Sequence, residues 1–179
     1  MEELENEEFE KVTVKQVAIK WGLISGVVSI AYFMIMNYAD LIGNSWASWL
    51  GIVPFIVILF LAHIEFKNDG DGYMSYGQGL GIGAFLAGVS ALLSGAFTYV
   101  YTKFIVPDYS QMMMDKMVEV WEEQGMTDQQ IEVASSVMSK FQNPELAFIL
   151  GIVMGVLFGF IISLIVAAIT KNNNPDLSI

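Results

Sequence analysis

The chain has 179 residues, 55% of them apolar and only 15% charged, at a net charge of −11. Soluble domains carry about 25% charged residues, so this composition describes a chain surrounded mostly by hydrocarbon. The acidic balance lacks the basic footprint of a nucleic-acid binder, and the absence of Cys excludes disulfides, thiolate catalysis and Cys-ligated metals.

Residues 1–13 read as an acidic, disordered tail. Its first ten residues hold six Glu and no basic residue, the reverse of a signal peptide's basic start, so the first span is expected to serve as an uncleaved anchor. Four apolar runs follow. A helix rises ~1.5 Å per residue and needs ~20 apolar residues to cross ~30 Å of hydrocarbon. The predicted spans are 17–38, 46–64, 77–106 and 145–170. The last is apolar on every face, which a soluble amphipathic helix is not. None shows the period-2 alternation of a membrane β-barrel. Pro54 lies inside the second predicted span, where its missing N–H predicts a kink.

At the end of the second span, His63 and Glu65 are followed by a turn of Asn, Asp and Gly ending at Gly72. The turn tempts a calcium reading, but Lys67 and Gln78 stand where a calcium loop needs acids, so a tight turn explains it better. Ser75 with Gln78 three residues on forms a capping box for the third span, and Gly77 lies within it. We take His63, Glu65, Gly72, Ser75, Gly77 and Gln78 as the candidate functional loop. His63, the only His, reads as a boundary residue, with a pH switch as its functional alternative.

Residues 108–142 read as an extramembrane hairpin of two amphipathic helices, the first capped by Asp108 and stopped by Gly125, the second opened by a Thr127–Gln130 capping box. Met113, Met114, Met117 and Trp121 form an apolar stripe that reads first as the hairpin's own core, with an adaptable surface that meets a partner as its functional alternative. Asn143 and Pro144 are suited to open the fourth span. Residues 172–179 read as a flexible tail. The predicted architecture is therefore all-α: a membrane four-helix bundle with a helical hairpin between spans three and four.

Small residues recur at four-residue spacing, as at Gly22 and Gly26, at Gly83, and at Gly151, Gly155 and Gly159. Lipid tails give apolar helices no hydrophobic reason to associate, so close backbone approach at such ridges is the expected seam. Five of the eight Lys (11, 15, 20, 67 and 171) fall on one side and three (103, 116 and 140) on the other. Positive-inside counting then puts both termini in the cytoplasm and the hairpin in the periplasm.

Chemistry is sparse. The span centres hold no ionisable residue, unlike those of most pumps and proton relays, and no catalytic residue, metal or cofactor is predicted. Ser25, Ser29, Ser90, Ser94, Thr98 and Ser163 are the deeper polar groups, suited to bonding backbone or one another. Four segments together resemble a bacterial four-span membrane family, domain of unknown function 4199. They are Lys-Trp-Gly-Leu at 20–23, Gly-Tyr-Met-Ser-Tyr-Gly-Gln at 72–78, Phe-Thr-Tyr-Val-Tyr at 97–101, and the acidic hairpin before the last span. The resemblance implies the architecture and no activity. The reading it leaves in front is a non-catalytic inner-membrane protein that associates with lipid, with its own copies or with other membrane proteins. A small-molecule or ion transporter would need a polar cavity around Ser90, Ser94 and Thr98. A lipid-modifying enzyme would need a cleft joining His63, Glu65 and Gln78.

Overall fold

The structure is a computed structural model and describes residues 12–173. The tails expected at 1–13 and 172–179 lie outside it except at their inner ends, which belong to the fold. Thr13 caps the first helix, and Asn172 pairs its backbone with Met74.

The described residues are helical, without a strand beyond that single bridge. In chain order they form α1 (Val14–Tyr38), α2 (Ser45–Leu50), α3 (Ile52–Asn68), α4 (Tyr76–Val100), α5 (Tyr109–Glu123), α6 (Asp128–Ser139) and α7 (Pro144–Thr170), with a π-helical turn, Tyr101–Ile105, extending α4. Three segments are long and apolar enough to cross a membrane, Val14–Tyr38, Tyr76–Ile105 and Pro144–Thr170.

The expected second span is not one helix. α3 has 17 residues, about 25 Å of rise and short of a ~30 Å core. Pro54 cannot donate to the Leu50 carbonyl four residues back, and the helix divides at Gly51. Pro54 therefore stands in the first turn of α3, where no intrahelical donor is missed, and Tyr32 of α1 donates its hydroxyl to the Ala47 carbonyl of α2.

The helix ends follow local chemistry. Capping boxes form at Ser75–Gln78 and Thr127–Gln130, Asn143 caps α7 with Pro144 in its first turn, and Gly125, at φ +77°, ends the hairpin's first helix in a conformation that favours Gly. Thr13 with Gln16, and Asn44, are further caps that the sequence reading passed over. Asp108 corrects an expectation: it occupies the cap position of α5 but its side chain makes no capping bond. Pro107 pushes Val106 out of the helical region, and the Val106 N–H reaches back five residues to Tyr101, closing the π turn.

α4 is central, packed against α1, α7 and α3, while α3 also touches α1 and α7. The apolar core gathers toward one end of these helices, around Val17 and Ala18 of α1, Leu59 and Ala62 of α3, Ile82 and Leu86 of α4, and Ile162 and Val166 of α7. The seams are made of glycine. A Cβ on Gly22 would stand 2.7 Å from the Val89 Cβ, and one on Gly26 2.8 Å from Leu93 Cδ2. Cβ atoms on Gly83 and Gly159 would overlap Ser163 and Ala87, and one on Gly155 would come 3.1 Å from Ala87's neighbour on the same ridge, Ala91. Gly151 departs from the expected ridge: nothing lies within 4 Å of its Cβ position.

These contacts generate a contrast. Gly83→Val, overpacking the α4–α7 seam, is expected to lower stability in detergent by about 1–3 kcal/mol, whereas Gly151→Ala should leave the melting temperature near wild type. Equal melting temperatures for both variants would contradict the seam.

Candidate functional site

Two places gather polar side chains: a buried junction around His63 and a cavity beneath the hairpin. At the junction, the His63 ring is fully buried, with Nδ1 2.7 Å from Thr170 Oγ1 of α7 and Nε2 3.1 Å from the Gly79 carbonyl of α4. A carbonyl only accepts, so Nε2 carries a proton and donates. The Thr170 hydroxyl also lies 2.8 Å from the Val166 carbonyl, and its single proton can serve Nδ1 or that carbonyl, one at a time. His63 thus ties α3 to α4 and α7. It sits near the ends of α3, α4 and α7, as a boundary residue would, and is buried there, which the sequence pattern does not show. Lys67 donates to the Thr170 carbonyl at 3.2 Å, fastening the end of α7 to the same helix.

The other residues of the candidate loop do not meet His63 at a cleft. Glu65 accepts from Lys20 of α1 at 2.6 Å. Gln78 is occupied in the capping box with Ser75. Gly72, at φ +83°, completes the turn opened by Asp71, whose carboxylate accepts the Tyr73 N–H at 3.0 Å. Gly77 has nothing within 4 Å of its Cβ position. No group of three or more His, Asp or Glu that could hold a metal occurs among the described residues.

The cavity has a volume of about 600 Å³ and lies between the start of α3, the second half of α4, the first half of α7 and the hairpin. Ser90, Ser94, Thr98 and Thr102, one turn apart on α4, share its wall with Phe55, Phe148 and Phe158. Three of those hydroxyls are engaged within the protein, Ser90 donating to Ser25 Oγ of α1 at 3.0 Å, Ser94 to the Ser90 carbonyl at 2.8 Å and Thr102 to the Tyr99 carbonyl at 3.4 Å. Its floor is the Gly159–Ala87 contact; beyond it Gly83 meets Ser163 and the dense core begins. Its upper end is polar, with Tyr99, Thr102, Tyr109, Ser110 and Gln142. Burial pushes the Tyr109 phenol above its ordinary value, so it stays neutral there. No charged side chain lines the cavity among the described residues. Beside it, Lys103 pairs with Glu145 and donates to the Tyr99 hydroxyl at 2.7 Å.

Sequence reasoning named Ser90, Ser94 and Thr98 but missed Tyr109, Gln142 and the π turn that presents Thr102. The first two come from the hairpin, and only its docking brings them over α4. That docking rests on the Lys116–Asp40 ion pair, on Val120 against Gly43, and on Tyr109 against Phe33 and Tyr101. The candidate partner surface is partly covered in this fold. Met114 is buried, Met113 lines the cavity, and Met117 and Trp121 are half-buried.

Residues 20–172 match the family described as Protein of unknown function (DUF4199). The chain belongs to this family. No curated protein and no solved structure matches it. The matched range begins at Lys20 and ends at Asn172, so it takes in the His63 junction, the cavity and the hairpin together.

The junction yields a stability test. His63→Leu removes the bonds to the Gly79 carbonyl and to Thr170 together and should cost about 1–3 kcal/mol in detergent unfolding. A double-mutant cycle with Thr170→Val should show a coupling of about 0.5–3 kcal/mol. Zero coupling would contradict the bond between them.

Proposed function

We propose that this member of the family is a non-catalytic, four-span protein of the bacterial cytoplasmic membrane that works by association. Both termini would face the cytoplasm and the hairpin the periplasm. One observation carries the membrane placement. Large apolar side chains are exposed along α1, α3, α4 and α7, and on α7 they face outward on nearly every turn, from Ile149 through Met154 and Phe160 to Ile169. Water would penalise such a belt, and exposed apolar surface of this extent marks contact with lipid or protein. Exposed Val53, Val57, Leu61 and Ile64 extend the belt over α3, which supports α2 and α3 together as the fourth crossing. α1, α3, α4 and α7 would then form the membrane bundle. Tyr38, Trp46 and Trp49, all exposed near the hairpin, fit a headgroup belt.

The non-catalytic reading draws on the spent chemistry of the interior. Ser25, Ser90, Ser163, Thr170 and His63 bond to one another or to nearby carbonyls, as packing groups do. With the Met surface largely turned inward, the association surface moves to the outer face of α6, where Val133 and Val137 are each more than half exposed. A second copy or another membrane protein is the partner class that fits. A transport role is the second reading, favoured by the cavity that holds Ser90, Ser94 and Thr98. The lipid-modifying reading needed His63, Glu65 and Gln78 at one cleft and draws no support from their positions.

Reporter fusions test the placement. A fusion at Glu123 should report a periplasmic location and one at Ile179 a cytoplasmic location; the opposite pattern would overturn the orientation.

A further inference from the structure

The cavity under the hairpin has no role in an account that stops at membrane placement and association. We infer that it is a lipid site, taking one acyl chain of a bilayer phospholipid through the gap between α3 and α7, with the polar part of that lipid at Tyr99, Tyr109 and Gln142. The inference rests on the membrane placement proposed above.

Access is the first ground. α3 starts only at Ile52, and the residues of α3 and α7 that share the dense core lie beyond the cavity floor. Above the floor the wall on the α7 side includes Gly151 and Phe158, both exposed, and Phe158 is half in the lipid-facing belt with Met154 and Leu157. The cavity is thus continuous with the surface that faces hydrocarbon. A water-soluble ligand would have to pass the docked hairpin, whereas an acyl chain of the bilayer needs only to turn inward.

Shape is the second. From Ala87 to Thr102 the α4 wall runs about 22 Å, and α7 from Pro144 to Gly159 runs alongside it. The volume of about 600 Å³ is that of a single-ligand site. It is long and closed at the bottom by the Gly159–Ala87 contact, which suits a chain and stops a through-passage.

Polarity is the third. Phe55, Phe148, Phe158 and small residues make most of the deep part, where the Ser90 and Ser94 hydroxyls are already bonded within the protein, and Tyr99, Tyr109, Ser110 and Gln142 lie at the top, where the hairpin covers it. An amphiphile has the same gradient. An ion or charged solute would enter without a counter-charge in the lining, which is costly at membrane depth.

The full-length protein should be placed in vesicles of phosphatidylethanolamine and phosphatidylglycerol doped with a phospholipid bearing a photoactivatable diazirine on one acyl chain, irradiated, digested and mapped by mass spectrometry. Label is expected on the belt of α7 at Ile161, Ile165 and Ile169, and also on the inward wall of α4 at Ala91, Ser94 and Thr98. Gly151→Phe fills the cavity from a position with nothing within 4 Å of its Cβ and should abolish the α4 label while leaving the belt label. Ala147→Trp, a second filling variant on the rim, should do the same. Belt label with an unlabelled α4 wall overturns the lipid site and leaves the membrane placement standing. Absence of label from both overturns the two together. An α4 label that persists in both filled variants, each folded by its melting temperature, overturns the site as well.

Discussion

Close backbone approach between α4 and its neighbours is what the rest of this structure depends on. In hydrocarbon, an apolar helix gains little from touching another, so contact must come from surfaces that fit more closely than lipid can. Gly22 and Gly26 bring α1 onto Val89 and Leu93 of α4, and Gly83 and Gly159 bring α7 onto the opposite side. A methyl group at any of these four positions meets an atom nearer than ordinary packing allows. α3 is held differently, by the His63 bonds to Gly79 and Thr170 and by the Glu65–Lys20 pair. Glycine contacts seat three helices, while α3 joins them through apolar side chains such as Leu59 and Ala62 together with these polar bonds.

This division shapes the molecule into a dense end and a hollow end. The dense end holds the apolar core, the His63 junction and the Met74–Asn172 bridge. The hollow end begins at the Gly159–Ala87 contact, where the start of α3 leaves the first half of α7 uncovered and the hairpin closes over the top. A helix interrupted at Gly51 and a π turn forced by Pro107 both fall at this end. Two prolines therefore set the borders of the cavity, one by shortening α3 and one by redirecting the chain into the hairpin.

The long helices, most of their caps and the glycine seams were legible in the sequence because each follows from local rules: run length, a Ser, Thr or Asn before the helix, and small residues every four positions. Gly151 fits the same spacing yet opens on the cavity, since periodicity identifies a ridge and cannot say what faces it. His63 read as a boundary residue because it follows an apolar run, while its burial comes from Gly79 and Thr170, the latter 107 positions away. Asp108 has the right residue type for a cap, and the turn geometry after Pro107 keeps its side chain from making the bond. The cavity was invisible for the same reason: the polar residues at its top reach α4 only through the docking of the hairpin.

Site-directed spin labelling in a bilayer tests the central claim most directly. Labels at Val53, Val57, Leu61 and Ile64 on α3, and at Ile149, Met154, Ile161 and Ile165 on α7, would be read for collision with dissolved oxygen and with a water-soluble nickel complex. A helix pair facing hydrocarbon gives oxygen access that rises toward mid-membrane and nickel access that falls there, on both helices. Nickel access that stays high along α3 or α7 would show water where the proposed membrane placement puts lipid, and would contradict it.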